Sequence, residues 1–124
     1  MTSEQKTLLF IDDEAEFLNI CKHFFEMKKF KVLTSISGLE GLKIIKSEKP
    51  DLVILDLKMP EFDGMRTLKS IRLFDKKVKV IIVTGYGTDA DIRESSELGV
   101  SDFIHKPFDL NTLLKIIQKP LAAK

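Results

Sequence analysis

The stretch Leu52-Val53-Ile54-Leu55-Asp56 places four consecutive apolar residues directly before an acidic one. The same arrangement occurs at Leu8-Leu9-Phe10-Ile11-Asp12, and a third apolar run, Val80-Ile81-Ile82-Val83, is followed by the hydroxyl of Thr84. Strands that are apolar at every position are typical of parallel sheets covered by helices on both faces. The three runs therefore predict the central strands of an α/β sheet, with polar residues at the ends of the strands.

Two shorter and more polar runs, Val32-Leu33 and Phe103-Ile104, predict a second and a fifth strand at the sheet edges. Amphipathic stretches with helical spacing separate the five runs. Strands that alternate with helices, joined by right-handed crossovers, indicate a doubly wound α/β fold. We therefore predict a flavodoxin-like architecture, with a five-stranded parallel sheet in the order 2-1-3-4-5 and five helices. That order has its ligand-binding switch point between the first and third strands, at their carboxyl ends.

The expected core-facing positions of the helices repeat every three or four residues. The fourth helix has the fewest apolar anchors, so we expect it to be held less firmly than the others. The predicted positions are Phe17, Leu18, Cys21, Phe24 and Phe25, then Leu39, Leu42 and Ile45, then Met65, Leu68 and Ile71, then Ala90, Ile92 and Leu98, and last Leu110, Leu113, Leu114 and Ile117.

Several residues mark where helices begin and end. Ser37 with Glu40, and Thr88 with Asp91, have the spacing of capping boxes at helix starts, and Gly99 suits the end of the fourth helix. Pro50 and Pro120 predict two further breaks.

The size and charge of the chain favour a single domain over residues 1–124, with a polar extension at 1–6 and a short tail at 121–124. Its 124 residues are 44% apolar, and the formal net charge is +1. Such a balance gives no reason to expect direct contact with nucleic acid or a membrane. The polar start and the lack of a long apolar run favour a cytoplasmic protein. The single cysteine, Cys21, lies in an apolar helical pattern and is interpreted as a buried structural residue.

Residues with acidic, hydroxyl and amino side chains directly follow the predicted strands. Asp12 and Asp13 follow the first strand, Asp56 follows the third, Thr84 the fourth and Lys106 the fifth. Any one acid could be an ordinary helix cap. Three carboxylates that converge, however, resist joint ionisation unless a cation offsets their charge. Ligands that are all oxygens favour a hard ion, so the sequence predicts a Mg²⁺ site.

Four segments resemble the response-regulator receiver domains of two-component signalling, and the similarity extends over nearly the whole chain. They are the acidic pair Asp12-Asp13, the segment DLKMPEFDG at 56–64, the pair Thr84-Gly85 and the segment FIHKPF at 103–108. The resemblance implies a phosphorelay signalling domain that takes a phosphoryl group from the phosphohistidine of a histidine kinase or of a histidine phosphotransfer protein. It implies a phosphoprotein and not an enzyme, catalysing only its own phosphorylation and slow dephosphorylation.

The resemblance also assigns roles around the acids. Asp56 is the implied phosphoacceptor. Asp13 and Asp56 would bind Mg²⁺ directly, Asp12 largely through a coordinated water, and the backbone carbonyl of Lys58 would add a further ligand. Lys58 and Tyr86 stand at positions that vary within the family; their side chains are expected to border the site and to affect the lifetime of the phosphoryl group, and for Lys58 a solvated surface role fits equally well.

Further roles concern the change of state. Thr84 and Lys106 would hold phosphoryl oxygens, and the peptide bond between Lys106 and Pro107 would be cis. Thr84 and Phe103 would form a switch that alters the face made by the fourth helix, fifth strand and fifth helix. Tyr is frequent in the family where this chain has Phe103, and the alternative is that Phe103 is a static packing residue. That face is the expected contact with a downstream target or with a second copy of the chain.

Other interpretations are a degenerate module that is not phosphorylated, a phosphatase with an aspartyl nucleophile and a flavodoxin-like electron carrier. The first would lack one of the key residues, all of which are present. The second would have Asp-x-Asp on the first strand, where this chain has Asp12-Asp13-Glu14, and the third would have a phosphate loop rich in Ser, Thr and Gly.

His23 and His105 have no metal-ligand partners at useful spacing and are interpreted as surface residues or as neighbours of the site. A stand-alone regulator, a phosphorelay shuttle and a part of a longer protein all fit; the segment Val83-Thr84-Gly85-Tyr86-Gly87 resembles receivers of transcriptional activators.

Overall fold

The computed structural model describes residues 5–57, 64–85 and 87–122. Five parallel strands form one sheet in the order β2-β1-β3-β4-β5, and five helices connect them. The predicted fold class is confirmed. The strands are β1 Thr7–Ile11, β2 Lys31–Ser35, β3 Leu52–Asp56, β4 Lys79–Thr84 and β5 Asp102–His105. The helices are α1 Ala15–Met27, α2 Gly38–Glu48, α3 Gly64–Phe74, α4 Asp89–Glu97 and α5 Leu110–Ala122.

The central strands separate two apolar cores, because successive side chains of a strand point to opposite faces of the sheet. On one face, Phe10 and Ile54 pack with α1 and α5, and on the other, Leu55 and Ile82 pack with α2 and α3. β3 is buried at every position, whereas the edge strand β5 has no fully buried residue. The contrast between continuous and broken apolar runs therefore located the centre and the edges of the sheet correctly.

α4 is attached mainly by polar contacts. Its buried residue is Ser95, whose hydroxyl donates to the carbonyl of Ile92 at 3.1 Å. Ala90, a predicted anchor, is exposed, and Ile92 and Leu98 are half-buried. The expectation that α4 buries little apolar surface agrees with the structure, although Ala90 was the wrong anchor.

The guanidinium of Arg72, on α3, joins the end of α4 to the rest of the fold. Its Nε donates to the carbonyl of Leu98 at 2.6 Å and its Nη2 to the carbonyl of Gly99 at 3.2 Å. Its Nη1 donates to the carbonyls of Asp75 at 3.2 Å and Val78 at 2.8 Å. Burial lowers the pKa of Arg72, and the nearby Asp75 charge opposes this. The buried guanidinium thus donates hydrogen bonds to backbone carbonyls in two separate turns, one after α3 and one after α4.

The predicted capping box forms completely at the start of α4 and only in part at the start of α2. Thr88 and Asp91 form the full capping box, and Gly99, with φ 76°, ends the turn after α4. At α2 only half of the predicted box forms. The Ser37 hydroxyl accepts from the Glu40 N–H at 3.2 Å, but the Ser37 N–H donates to the Ser35 hydroxyl at 3.2 Å rather than to Glu40.

Two sequence expectations about helices were wrong. Leu39 is 59% exposed, because Gly38, Gly41 and Ile45 form the buried stripe of α2. Pro120 does not end the last helix, since α5 continues to Ala122. A proline removes one backbone donor, which costs little this close to a helix end. The ammonium of Lys79 also donates to the Pro120 carbonyl.

None of the helices in the described part of the chain is long and apolar enough to cross a membrane.

Candidate functional site

Three carboxylates meet at the carboxyl edge of the sheet. β1 and β3 are neighbours in register, so Asp12 and Asp56 emerge side by side. The Asp12 N–H donates to the carbonyl of Ser35 at 3.0 Å, which extends the pairing of β1 with β2. One oxygen from each of Asp12, Asp13 and Asp56 lies within 4.8 Å of the others. Asp12 and Asp56 are 1% and 5% exposed, whereas Asp13 is exposed. The structure therefore brings together the three acids that the sequence assigned to a metal.

The ammonium of Lys106 faces these acids from the turn after β5. Its Nζ lies 2.7 Å from Oδ2 of Asp12, 2.9 Å from Oε1 of Glu14 and 3.5 Å from Oδ2 of Asp56. It also lies 4.4 Å from the centroid of the Phe17 ring. The Lys106 N–H donates to the Thr84 carbonyl at 2.8 Å, which fixes the backbone beside β4.

Sequence reasoning had not assigned Glu14 or Phe17 to this site. The helical spacing predicts that Phe17 faces the core, and its ring does pack edge-on against Phe108 at 6.0 Å. Glu14 is the third of three consecutive acids, which is a signal of its own, but its contact with Lys106 spans 92 residues of sequence. The distance between the two could not be inferred from spacing.

Burial and charge act against each other at Asp12 and Lys106. Burial raises the pKa of Asp12 above its usual range, and the hydrogen bonds from Lys106 and from the Glu14 N–H only partly oppose this. Burial alone would lower the pKa of Lys106, but its hydrogen bonds to Asp12 and Glu14 raise that pKa above its usual range. The charge of Asp56 also raises both pKa values. A further positive charge among the carboxylates would favour the ionised form of Asp12.

Thr84 and Phe103 lie on the neighbouring strands β4 and β5. Thr84 is fully buried at the end of β4, one residue beyond the partner of Asp56 in the register, Val83. Phe103 is half-buried, pairs with Ile82 and packs on the same core as that residue. Since side chains alternate along β4, Thr84 and Phe103 belong to the same face of the sheet.

The ring of Phe103 fills the space beside Gly87. A Cβ atom added at Gly87 would lie 2.7 Å from the ring and 3.1 Å from His105, whose own ring is 5.5 Å from that of Phe103. His105 is exposed, in agreement with the sequence interpretation, and so is His23. The loop after β4 therefore touches the ring that the sequence assigned to a switch.

Gly64 is required where α3 starts beside the acids. A Cβ atom at Gly64 would lie 2.0 Å from the carbonyl oxygen of Asp56 and 2.4 Å from Cα of Leu57. The Gly64 N–H donates to the carbonyl of Leu57 at 2.8 Å. Backbone atoms cannot move aside as a flexible side chain would. The resemblance of the segment at 56–64 to the receiver family assigned no role to this glycine.

The peptide bond between Lys106 and Pro107 is cis, as the resemblance implied. Lys58 and Tyr86 lie outside the described residues. The described part of the site has carboxylate oxygens, a buried hydroxyl at the strand edge and one ammonium group. These oxygens fit a small hard divalent cation, which binds through one or two carboxylates and keeps several waters.

Cys21 is buried, and burial, with the Asp12 charge, raises its pKa to about 12, so it suits a structural role.

Comparison with known proteins gives the class of the protein. Residues 8–118 match the family model of the response regulator receiver domain. The chain belongs to this family and is a receiver domain of two-component response regulators. Sporulation initiation phosphotransferase F from Bacillus subtilis (strain 168) is 35% identical over 117 residues, covering 94% of each chain. Transcriptional regulatory protein GlrR from Escherichia coli (strain K12) is also 35% identical, over 98% of this chain but only 27% of that protein.

Solved structures show the same fold. The CheY-like receiver domain from Methanospirillum hungatei JF-1 superposes with a TM-score of 0.92 at 29% identity, covering 95% of this chain and 94% of that one. The BeF3-activated receiver domain of RstA from Klebsiella pneumoniae gives a TM-score of 0.87 at 26% identity, covering 95% of this chain and all of that one. The family is one of phosphoacceptor signalling domains that typically bind Mg²⁺, and the acidic cluster here fits such an ion.

Proposed function

We propose that Asp56 is the phosphoacceptor of this receiver domain and that Asp12, Asp13, Thr84 and Lys106 assist the transfer. The observation that carries the proposal is the convergence of Asp12, Asp13 and Asp56 within 4.8 Å, with the Lys106 ammonium 3.5 Å from Asp56. Family membership and the two relatives at 35% identity support it.

The chemistry is the transfer of a phosphoryl group between two nucleophiles. A carboxylate oxygen of Asp56 forms the new P–O bond while the P–N bond of a phosphohistidine on the partner breaks. The leaving imidazole keeps the electron pair and takes up a proton, and the product on Asp56 is an acyl phosphate. The transition state is loose, with negative charge spread over three equatorial oxygens, so the task of the protein is to position and stabilise that charge.

Lys106 supplies fixed positive charge on one side of the acceptor. In this structure its ammonium binds Asp12 and Glu14, both more closely than Asp56. A phosphoryl group on Asp56 would compete for the same ammonium as a stronger, charged acceptor. The buried Thr84 hydroxyl is proposed to donate to another phosphoryl oxygen.

Asp13 and Asp56 are proposed to hold Mg²⁺ directly, and Asp12 through a water. The ion would supply charge stabilisation for the phosphoryl oxygens. The fit rests on the donor set, which is all oxygen, and on the convergence of three carboxylates, whose mutual repulsion a divalent cation would offset. The backbone carbonyl of Lys58 remains a proposed ligand, and the side chains of Lys58 and Tyr86 remain proposed modulators of phosphoryl lifetime.

The signal is proposed to leave the site through Thr84 and Phe103. If Thr84 moves toward the phosphoryl group, the loop after β4 moves with it, and Gly87 in that loop is in contact with the Phe103 ring. The face made by α4, β5 and α5 would then change shape. α4 suits such a change because its buried residue is a single serine.

The proposed partners are a histidine kinase or a histidine phosphotransfer protein as donor, and a downstream target or a second copy of the chain at the α4-β5-α5 face. The relatives support either context, since one is a phosphotransferase of similar length and another a transcriptional regulator of which the chain spans about a quarter.

The test is intact-mass measurement after incubation with acetyl phosphate, with and without Mg²⁺. The wild-type protein is expected to gain one phosphoryl group only when Mg²⁺ is present. Asp56→Asn removes the attacking oxygen pair while preserving shape, and it should gain none. The exposed Asp89→Asn is the matched control and should be phosphorylated like the wild type.

The same samples test the route of the signal. Phosphorylated wild-type protein should show altered amide hydrogen exchange in α4 and β5, and Asp56→Asn treated in the same way should not. Normal phosphate incorporation by Asp56→Asn would overturn the acceptor assignment. Unchanged exchange in a phosphorylated sample would overturn the output face alone.

A further inference from the structure

A cavity opens at the amino-terminal edge of the sheet, at the end opposite the three acids. It has a volume of about 590 Å³ and lies between the start of β1, the end of α2, the turn after α3 and the end of α5. Sites for small ligands commonly have volumes of about 300 to 1,000 Å³. The cavity is therefore large enough for a whole small molecule.

Five lysines line the cavity. Its lysines are Lys6, Lys46, Lys49, Lys77 and Lys79, and we call the cavity the lysine cleft. Two acids also line it, so that lysines outnumber acids five to two, and backbone N–H groups donate to both acids. Asp51 accepts from Thr7 at 2.7 Å, and Asp75 accepts from the N–H groups of Lys77 and Val78 at 2.8 and 2.9 Å.

The ammonium groups of the cleft differ in their contacts. Lys79 donates to the carbonyl of Pro120. Among the residues that the structure describes, Lys6, Lys49 and Lys77 form no ion pair with a carboxylate. Lysines from three separate segments of the chain thus line one cavity, and an anion bound in it would be attracted by all three.

An aromatic ring adds a flat apolar surface to this charge. Phe74 lines the cleft and is 42% exposed, and the Lys46 ammonium lies 4.8 Å from the centroid of its ring. Exposed aromatic rings beside lysines can stack the flat ring of a ligand and attract its charge at the same time.

We propose that the lysine cleft binds a small anion that carries a flat ring, of the nucleoside phosphate class. The ring would stack on Phe74, and the phosphates would lie among Lys6, Lys49 and Lys77. The site is separate from the phosphoacceptor, because the cleft and the acids lie at opposite ends of the strands. A nucleotide bound there would therefore not contact Asp56.

The test compares three probes, ADP, pyrophosphate and adenosine, in buffer with EDTA so that no divalent ion directs ADP to the acidic site. Backbone amide shifts in NMR spectra report both affinity and location. ADP is expected to shift Asp51, Asp75 and Lys77 saturably, and pyrophosphate to bind at the same place about tenfold more weakly for want of stacking. Adenosine should bind more weakly still.

Two variants separate the charge from the ring. Lys6→Glu combined with Lys77→Glu should abolish ADP binding, and Phe74→Ala should reduce the affinity for ADP to that for pyrophosphate. Lys43→Glu, on the exposed side of α2 and outside the cleft, is the matched control and should bind ADP like the wild type. Unfolding midpoints in urea show whether each variant is folded.

Three results would overturn the proposal. The first is the absence of saturable shifts at millimolar ADP. The second is shifts that map to Asp12 and Asp56 or that survive the double charge reversal. The third is equal affinity for ADP and pyrophosphate in the wild type, which would remove the ring from the proposal and leave a plain anion site.

Discussion

α1 and α4 cover opposite faces of the same sheet, and the structure holds them in different ways. α1 buries Leu18, Cys21 and Phe25 in an apolar core, whereas α4 buries only Ser95. Apolar burial stabilises α1 over its length. α4 depends on its cap at Thr88 and on hydrogen bonds at its other end. The difference in burial makes α1 the more firmly packed helix and α4 the one that the proposed change of state would displace.

The largest effect on the free energy of unfolding is expected in the apolar core that α1 covers. Phe25 is fully buried, and its ring lies 5.5 Å from Phe10, 4.9 Å from Phe24 and 6.0 Å from Phe30. Phe25→Ala should lower the free energy of unfolding by about 3 to 5 kcal/mol, because it leaves a cavity that these rings cannot fill. Urea unfolding measures this. Ile20→Ala on the exposed side of α1 is the control, and a similar loss for both variants would contradict the comparison.

The next effect concerns the attachment of α4. Arg72→Met removes the donors to four carbonyls and should lower the free energy of unfolding by about 2 to 3 kcal/mol. Amide exchange should accelerate in α4 more than in α1, since Leu98 and Gly99 lose their partner. Arg93→Met, which is exposed on α4, should change neither quantity. If exchange in α1 and α4 accelerated equally, Arg72 would be a general stabiliser and not an attachment of α4.

The smallest effect is expected at the start of α4. The Thr88 hydroxyl accepts from the Asp91 N–H at 3.1 Å, and the Thr88 N–H donates to the Asp91 carboxylate at 3.1 Å. Thr88→Ala should cost about 1 kcal/mol, and its increase in exchange should be confined to the first turn of α4. Thr88→Ser keeps the acceptor and should restore protection. Loss of protection with Thr88→Ser as well would show that the methyl group, not the cap, holds the turn.

The sheet could be predicted from the sequence because the periodicity of its strands is local information. Runs such as Leu52–Leu55 show their burial directly. The errors arose where the outcome depended on distant partners. Leu39 has the right spacing, but Gly41 lets α2 approach Ile11 of β1 on another stripe. Pro120 was expected to end a helix, whereas α5 continues to Ala122 and Lys79 contacts the Pro120 carbonyl.

The candidate site shows the same division. The topology rule placed Asp12, Asp13 and Asp56 at one edge, and the structure brings their oxygens within 4.8 Å. The contact between Glu14 and Lys106 could not be foreseen, because it depends on how two turns approach in space. Arg72 has no sequence signal at all, since its acceptors are backbone carbonyls that any residue would offer.

The edge strand β5 has a consequence for association. It has only four residues, and Pro107, which has no N–H to donate, follows two residues after its end. A strand this short and interrupted is a poor template for a foreign strand to extend the sheet. A protein that binds at this edge would therefore contact the side chains of β5 and not pair its backbone with the strand. For the same reason, this edge is a poor starting point for fibril growth.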